Sequence, residues 1–273
     1  MTAPEGHSCL SFLTDYGNTD GFVAACHAQM LRYAPALRVI DITHQIPPGD
    51  IRRGATVLAD TAPELPRAVH VCVVDPGVGT RRRSVAVAAG GHVLVGPDNG
   101  LLVWAAEALG GVAAVHELTN ETLWRHPVST TFHGRDVYAP VGAQIAAGTP
   151  LADVGRALAP TDLVRLPRPR REVRPGAAYG EVHAVDRFGN CQLSLSAQDL
   201  RAALAGSPQP EHLAVGLPGS AHTLPLAPTF GAVEPGAPLV LTDSAGRLSL
   251  AVNGGDAART LDLSVGDPVD LTV

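Results

Sequence analysis

The order of apolar and polar residues changes character about two thirds of the way along the chain. In the first part, short apolar runs at 9–14, 37–42, 71–74, 84–88 and 92–95 each end in a polar or glycine-bearing turn. Several are followed by apolar residues at helical spacing: Phe22, Val23, Cys26, Met30 and Leu31, then about a dozen residues from Ile51 with Asp50 as N-cap, then 101–109 and 137–147. Strands alternating with helices predict a mainly parallel, helix-covered sheet, an α/β N-terminal domain. The stretch LPRPRREVRPG can continue neither a helix nor a central strand and reads as a linker. Beyond it the apolar period falls to two, at 179–185, 191–195, 238–242, 247–252 and 268–273, predicting a smaller all-β, barrel-like C-terminal domain. The expected division is 1–168, a linker at 169–176, and 177–273.

Composition then narrows the class. With 273 residues, 45% of them hydrophobic and 17% charged, the chain can bury a sizeable core. The net charge of -6 and the absence of any basic tract beyond short arginine clusters argue against nucleic acid as the partner. Cys9, Cys26, Cys72 and Cys191 are widely spaced without a CxxC, a pattern of buried free thiols rather than disulfides or zinc ligands. MTAPEGHSC lacks the features of a signal peptide, and no apolar run approaches the roughly 18 residues needed to span a bilayer. A cytoplasmic location without membrane association is expected.

Candidate chemistry gathers where strands end. VCVVDPGVGTRRR delivers Asp75 at the mouth of a buried strand, with a glycine turn and three arginines behind it. Asp15, Asp20, Asp98, Asn99 and His133 occupy comparable places, His133 at a helix entrance. A lone strand-end acid is more often a cap or turn residue, but several of them flanked by glycine at comparable places favour a site. In the second part, VDRFGN offers Asp186, Phe188 and Asn190, either a ligand loop or a hairpin turn with Phe188 buried. No GxGxxG follows the first strand, and neither a Walker A sequence nor a GxSxG occurs, which removes the main support for a dinucleotide dehydrogenase, a P-loop NTPase and a nucleophile-elbow hydrolase. A metal hydrolase using Asp15, Asp75 and His133 is opposed by the lack of HxH or HExxH and by Arg82, which competes for the Asp75 carboxylate. No metal and no cofactor are expected.

Taken in order, LTDYG…DGFVAA, DITHQIPPGDIRRGA, VVDPGVGTRRRSVAV, VGPDNGLL, TFHGRDVYAP, VDRFGN and VNGGDAA resemble the S-adenosyl-L-methionine (SAM) hydroxide adenosyltransferase family, relatives of the SAM-dependent fluorinase and chlorinase. The resemblance spans almost the whole chain. It implies an α/β domain, a C-terminal β-barrel, and a homotrimer whose SAM sites lie between the N-terminal domain of one subunit and the C-terminal domain of the next. It puts the family's hydrolytic set on Asp75, Arg82 and His133. Asp15 takes the place of the acid on the ribose hydroxyls and Asp20 of one near the methionine end. Asp186 matches the receiver of the ammonium, Phe188 and Asn190 the loop beside adenine, and Ser244 a further substrate contact. The chain departs from the family pattern at Leu193-Ser194 and at Ala245-Gly246.

The implied reaction is attack of water or hydroxide on C5′ of SAM, giving adenosine and L-methionine. Fluorinase-like members carry tyrosine where Asp75 stands, serine where Gly134 stands and tryptophan where Gly49 stands, so the resemblance disfavours halide chemistry. A trimer that binds SAM or adenosine without turnover is the non-enzymatic alternative; a halogenase or a metal-dependent hydrolase are the remaining ones.

Overall fold

The computed structural model describes residue 7 and residues 9–272. The chain divides into two compact units, Met1–Leu166 and Pro167–Val273. The strands of the first are β1 (Cys9–Thr14), β2 (Arg38–Thr43), β3 (Ala68–Val73), β4 (Ser84–Ala89), β5 (His92–Pro97), β6 (Ala114–Glu117) and β7 (Ala157–Leu158). Its helices are α1 (Phe22–Tyr33), α2 (Ile51–Thr61), α3 (Val103–Ala108) and α4 (Ala139–Ala146). The seven strands form one sheet in the order β2-β1-β3-β5-β4-β6-β7.

β2, β1, β3 and β5 are parallel neighbours, and their residues point alternately to two helix-covered faces. Leu10, Phe12, Val69 and Val71 pack with Met30 of α1 and Ile145 of α4. Leu13, Cys72, Val74 and Leu94 pack on the opposite side with Leu58 of α2 and Ala105 of α3. α2 begins where expected, Asp50 Oδ1 accepting from Arg53 N–H at 2.9 Å. From β4 onward the sheet turns antiparallel. That reversal matters for function: β4 starts at the rim where β1 and β3 end, so the residues just before Ser84 come back to Asp75. The register Thr14 against Val73 brings the segments carrying Asp15 and Asp75 out side by side.

The second unit contains β8 (Glu172–Arg174), β9 (Ala177–Val185), β10 (Cys191–Ser196), α5 (Ala197–Leu204), β11 (His212–Leu217), β12 (Ser220–Pro225), β13 (Pro238–Thr242), β14 (Arg247–Val252), α6 (Ala257–Thr260) and β15 (Pro268–Thr272). The strand path β12-β11-β15-β9-β10-β14-β13 is antiparallel throughout, and a bridge between Leu226 and Val240 brings its two ends together as a nearly closed barrel. Leu193, Leu195, Leu213, Leu250 and Leu271 fill the interior. The arginine-rich stretch is partly ordered: β8 pairs with β9 as an edge strand, and Arg171 clasps Asp199. All four cysteines are buried and free. Among the described residues no helix is long and apolar enough to cross a membrane.

Candidate active site

The Asp75 carboxylate, its side chain only 6% exposed, stands two residues beyond β3 and is held by one arginine. Arg82 Nε donates to Asp75 Oδ1 at 2.9 Å and Nη2 to Oδ2 at 2.5 Å. The same Nη2 donates to His133 Nδ1 at 2.9 Å, and Nη1 to Ser84 Oγ at 2.8 Å. Ser84 Oγ in turn lies 3.1 Å from the Tyr138 hydroxyl. Four of the five guanidinium hydrogens are therefore engaged, and one on Nη1 is left. Burial works against the Arg82 charge, but the bonds to Asp75 outweigh it and raise its pKa, so the group stays cationic.

The arginine also settles the form of His133. Nδ1 accepts from a guanidinium, which leaves the ring's hydrogen on Nε2. Burial, followed by the positive Arg82, pushes the His133 pKa down and keeps the ring neutral. His133 caps a single π turn, Gly134–Tyr138, which runs on into α4. Such a turn inside a helix often marks a functional site, and here it aims two ring residues, His133 and Tyr138, at Arg82.

Asp15 occupies the neighbouring position on the rim, where its Oδ2 accepts from the Gly49 N–H at 2.8 Å. Burial raises its pKa; the Gly49 bond opposes this and the nearby Asp75 charge adds to it. Asp15, Asp75 and His133 line a cleft of about 50 Å³, with Tyr16, Thr131 and Gly134 completing its walls. Tyr16 is packed edge-on against Phe132 at 5.6 Å, and a Cβ on Gly134 would run into its hydroxyl. The cleft has room for a few waters on the order-of-magnitude scale of buried hydration sites.

The second unit carries a different kind of site. Between β9 and β10 the chain turns through 186–190, and Asp186 holds the turn from within. Its Oδ1 accepts from the N–H of Phe188 at 2.8 Å and of Asn190 at 2.9 Å, and its Oδ2 from Asn190 Nδ2 at 2.8 Å. The hairpin-turn reading is thus correct for the backbone, but Phe188 is 71% exposed rather than buried. It forms one wall of an open groove of about 610 Å³ with Asn190, Phe230, Val252, Gly255 and Asp256.

Residues 10–155 match the SAM hydroxide adenosyltransferase N-terminal domain, and residues 180–270 match the C-terminal domain. The chain belongs to the SAM hydroxide adenosyltransferase family. It is 52% identical over 263 residues to the (R)-S-adenosyl-L-methionine hydrolase of Salinispora tropica, covering 96% of this chain and 97% of that one. It is 31% identical to a fluorinase of Actinoplanes sp. over 98% of both chains. A crystal structure of a conserved protein of Thermotoga maritima superposes with a TM-score of 0.90 at 35% identity, covering 97% of this chain and all of that one.

Within this SAM hydroxide adenosyltransferase chain the structure joins Asp15, Asp75, Arg82 and His133, and separately Phe188, Asn190 and the turn-holding Asp186. Asp20 is exposed in the turn before α1 and does not line the cleft. Ser244 is exposed at the tip of the β13–β14 hairpin, a turn held by Asp243, and does not line the groove. Two rim residues have structural work: Asp98 binds Arg83 and the Val164 N–H, and Asn99 binds the Val74 carbonyl. Tyr16, Ser84, Tyr138, Phe230 and Asp256 were not indicated by sequence, because their relevance comes from tertiary contact alone.

Proposed function

We propose that the protein hydrolyses SAM, water attacking C5′ to give adenosine and L-methionine, with the (R) sulfonium epimer named for its relatives as the substrate to test first. The observation that carries the reading is Arg82 bonded at once to Asp75 and His133 beside a cleft of water size. The sulfonium departs as a neutral thioether, so no acid is required at sulfur. As the C5′–O bond forms and the C5′–S electron pair moves to sulfur, the attacking water becomes an oxonium whose proton must leave.

His133 Nδ1 is occupied by Arg82, so the ring offers only its Nε2 hydrogen and serves to orient. Asp75 retains lone pairs and is the better placed acceptor for a water hydrogen. Arg82 fixes both partners and keeps positive charge beside developing hydroxide character. Asp15 is assigned to the ribose hydroxyls, while Phe188 and Asn190 supply a face and an amide for adenine. Asp186 and Asp20 are assigned to the amino-acid end, and Ser244 to a peripheral contact. A carboxylate at Asp75 repels halide, which separates this chemistry from that of the fluorinase relative. The assembly proposed is a cytoplasmic homotrimer in which the 186–190 turn of one subunit completes the cleft of another.

Incubation with (R)-SAM, with and without excess chloride or fluoride, followed by chromatography, tests the reading. Adenosine alone is expected; a 5′-halogenated nucleoside at comparable level, or SAM bound and recovered intact, would overturn it. For the assembly, Asp75→Ala mixed with Asp186→Asn under subunit exchange should regain activity, and no recovery despite exchange would put the site within one chain.

A further inference from the structure

Three side chains that this reaction leaves unused meet at the edge of the first sheet. His27 comes from the middle of α1, Asp41 from β2, and His44 from the residue following β2. Asp41 Oδ1 lies 2.9 Å from His27 Nε2 and 3.2 Å from His44 Nε2, and one ligand atom from each of the three lies within 4.8 Å of the others. Phe12 backs both imidazoles, with ring centroids 5.7 Å from His27 and 4.9 Å from His44. It limits how far either ring can turn inward.

The cluster is only partly satisfied by its own atoms: His27 Nε2 hydrogen-bonds Asp41 Oδ1, but His44 Nε2 has no such partner. His44 is 5% exposed, and its Nε2 is buried without a hydrogen-bond partner although Asp41 Oδ1 is 3.2 Å away. As a lone pair this nitrogen faces a carboxylate with nothing between them. A cation placed there would be bound by both, and any hydrogen on Nε2 would leave to solvent or shift to Nδ1 as it bound. His44 Nδ1 meanwhile stands 2.9 Å from the Thr14 hydroxyl, the outer contact that commonly fixes a metal-binding imidazole.

We propose that His27, Asp41 and His44 form a binding site for a divalent first-row transition ion, Zn²⁺ being the type case. Two imidazoles and one carboxylate are the donor set such ions take, and too nitrogen-rich for Mg²⁺ or Ca²⁺. Metal–ligand bonds of about 2.0–2.1 Å at tetrahedral angles put ligand atoms roughly 3.3 Å apart, so the 2.9 and 3.2 Å separations need only a small opening. His27 and Asp41 are partly exposed, 29% and 43%, so they can make that movement and leave a fourth position to water. The ion would have no part in bond breaking. It would brace the loop after β1, because Gly17 N–H donates to the His44 carbonyl and Thr14 contacts its ring, on either side of Asp15.

The test is titration of the chelator-stripped full chain with Zn²⁺ by calorimetry and with Co²⁺ by visible absorption. One ion per chain at micromolar affinity, with the d–d bands of four-coordinate Co²⁺, is the expected result. His27→Ala and Asp41→Asn should each weaken Zn²⁺ binding by about a hundredfold or more. Circular dichroism and the melting temperature of each metal-free variant check that it is folded. No uptake by the wild-type chain, or uptake unchanged in both folded variants, would overturn the site.

Discussion

The two compact units hold their polar groups in opposite ways. In Met1–Leu166 the candidate residues are joined to one another across strand ends, Arg82 tying Asp75 to His133. In Pro167–Val273 the candidate loop is satisfied within itself, Asp186 holding its own turn, while Phe188 is turned out into solvent. The first arrangement fixes charge in advance, as a chemical step requires. The second fixes a shape and exposes an aromatic face, as recognition of a flat heterocycle requires. Substitutions of Asp75, Arg82 and His133 should therefore act on rate, and those of the 186–190 turn on binding.

The most severe test is Arg82→Ala, which should lower kcat by two orders of magnitude or more, on the order of 3 kcal/mol in the barrier, with a smaller change in calorimetric SAM affinity. Arg82→Lys should rescue little, since an ammonium cannot hold Asp75 at two points while donating to His133. Lost affinity with turnover kept at saturating SAM would remove the distinction between the units.

Acid should separate them next. His70 is buried between Ser11, at 2.6 Å, and His92, at 2.9 Å, and burial first, then the His92 and His7 rings, lower its pKa to about 3. A folded value below the unfolded one means stability is full above about pH 6.5 and falls as acid protonates the unfolded chain, by roughly 1.4 kcal/mol per pH unit until about pH 3. In the second unit, Asp199 is the group with a depressed carboxyl; burial opposes that shift, but Arg171 and Ser196 prevail. Its contribution is present above the ordinary carboxylate range and is lost only as pH falls through it. The urea midpoint of the first unit, followed by the fluorescence of Trp104 and Trp124, should fall as the pH is lowered below about 6, and His70→Gln should flatten that slope. A wild-type midpoint unchanged between pH 7 and pH 4 would contradict this.

Phe188→Ala should weaken SAM binding about tenfold, roughly 1.4 kcal/mol, with kcat at saturation little changed. Ser244→Ala, at an exposed hairpin tip outside the groove, should alter the dissociation constant by less than about twofold. A larger loss there would extend the recognition surface to the β13–β14 turn.

What could be read from the sequence follows from how local each signal is. β1, the Asp50 cap of α2, and the β13–β14 pair are written in contiguous residues, and they form where periodicity puts them. The β11–β12 hairpin lies outside that pattern because its second strand buries only Leu224 and so carries no alternation of its own, although Leu213, Val215 and Leu217 alternate in the first. Asp75 and Arg82 are near neighbours in sequence, but His133 reaches them across 51 residues, and only the family resemblance linked it to Arg82 beforehand. Asp98 and Asn99 had the same strand-end signature as Asp75 and prove to hold Arg83 and Val74 instead. Sequence pattern could place a carboxylate on the rim without saying which neighbour would claim it. The His27, Asp41 and His44 cluster has no linear motif, since a helix and a strand edge supply its members.

The crowding at Gly134 constrains the routes by which such a chain can change. Any side chain there enters the space of the Tyr16 ring, with Cζ at 3.0 Å and Cε2 at 3.2 Å from the new carbon, and that ring is wedged against Phe22 and Phe132. A residue larger than glycine at 134 therefore requires the Tyr16 ring to move aside or to be replaced by something smaller. Positions 16 and 134 share one volume, so the wall of the cleft changes at both together rather than at either alone.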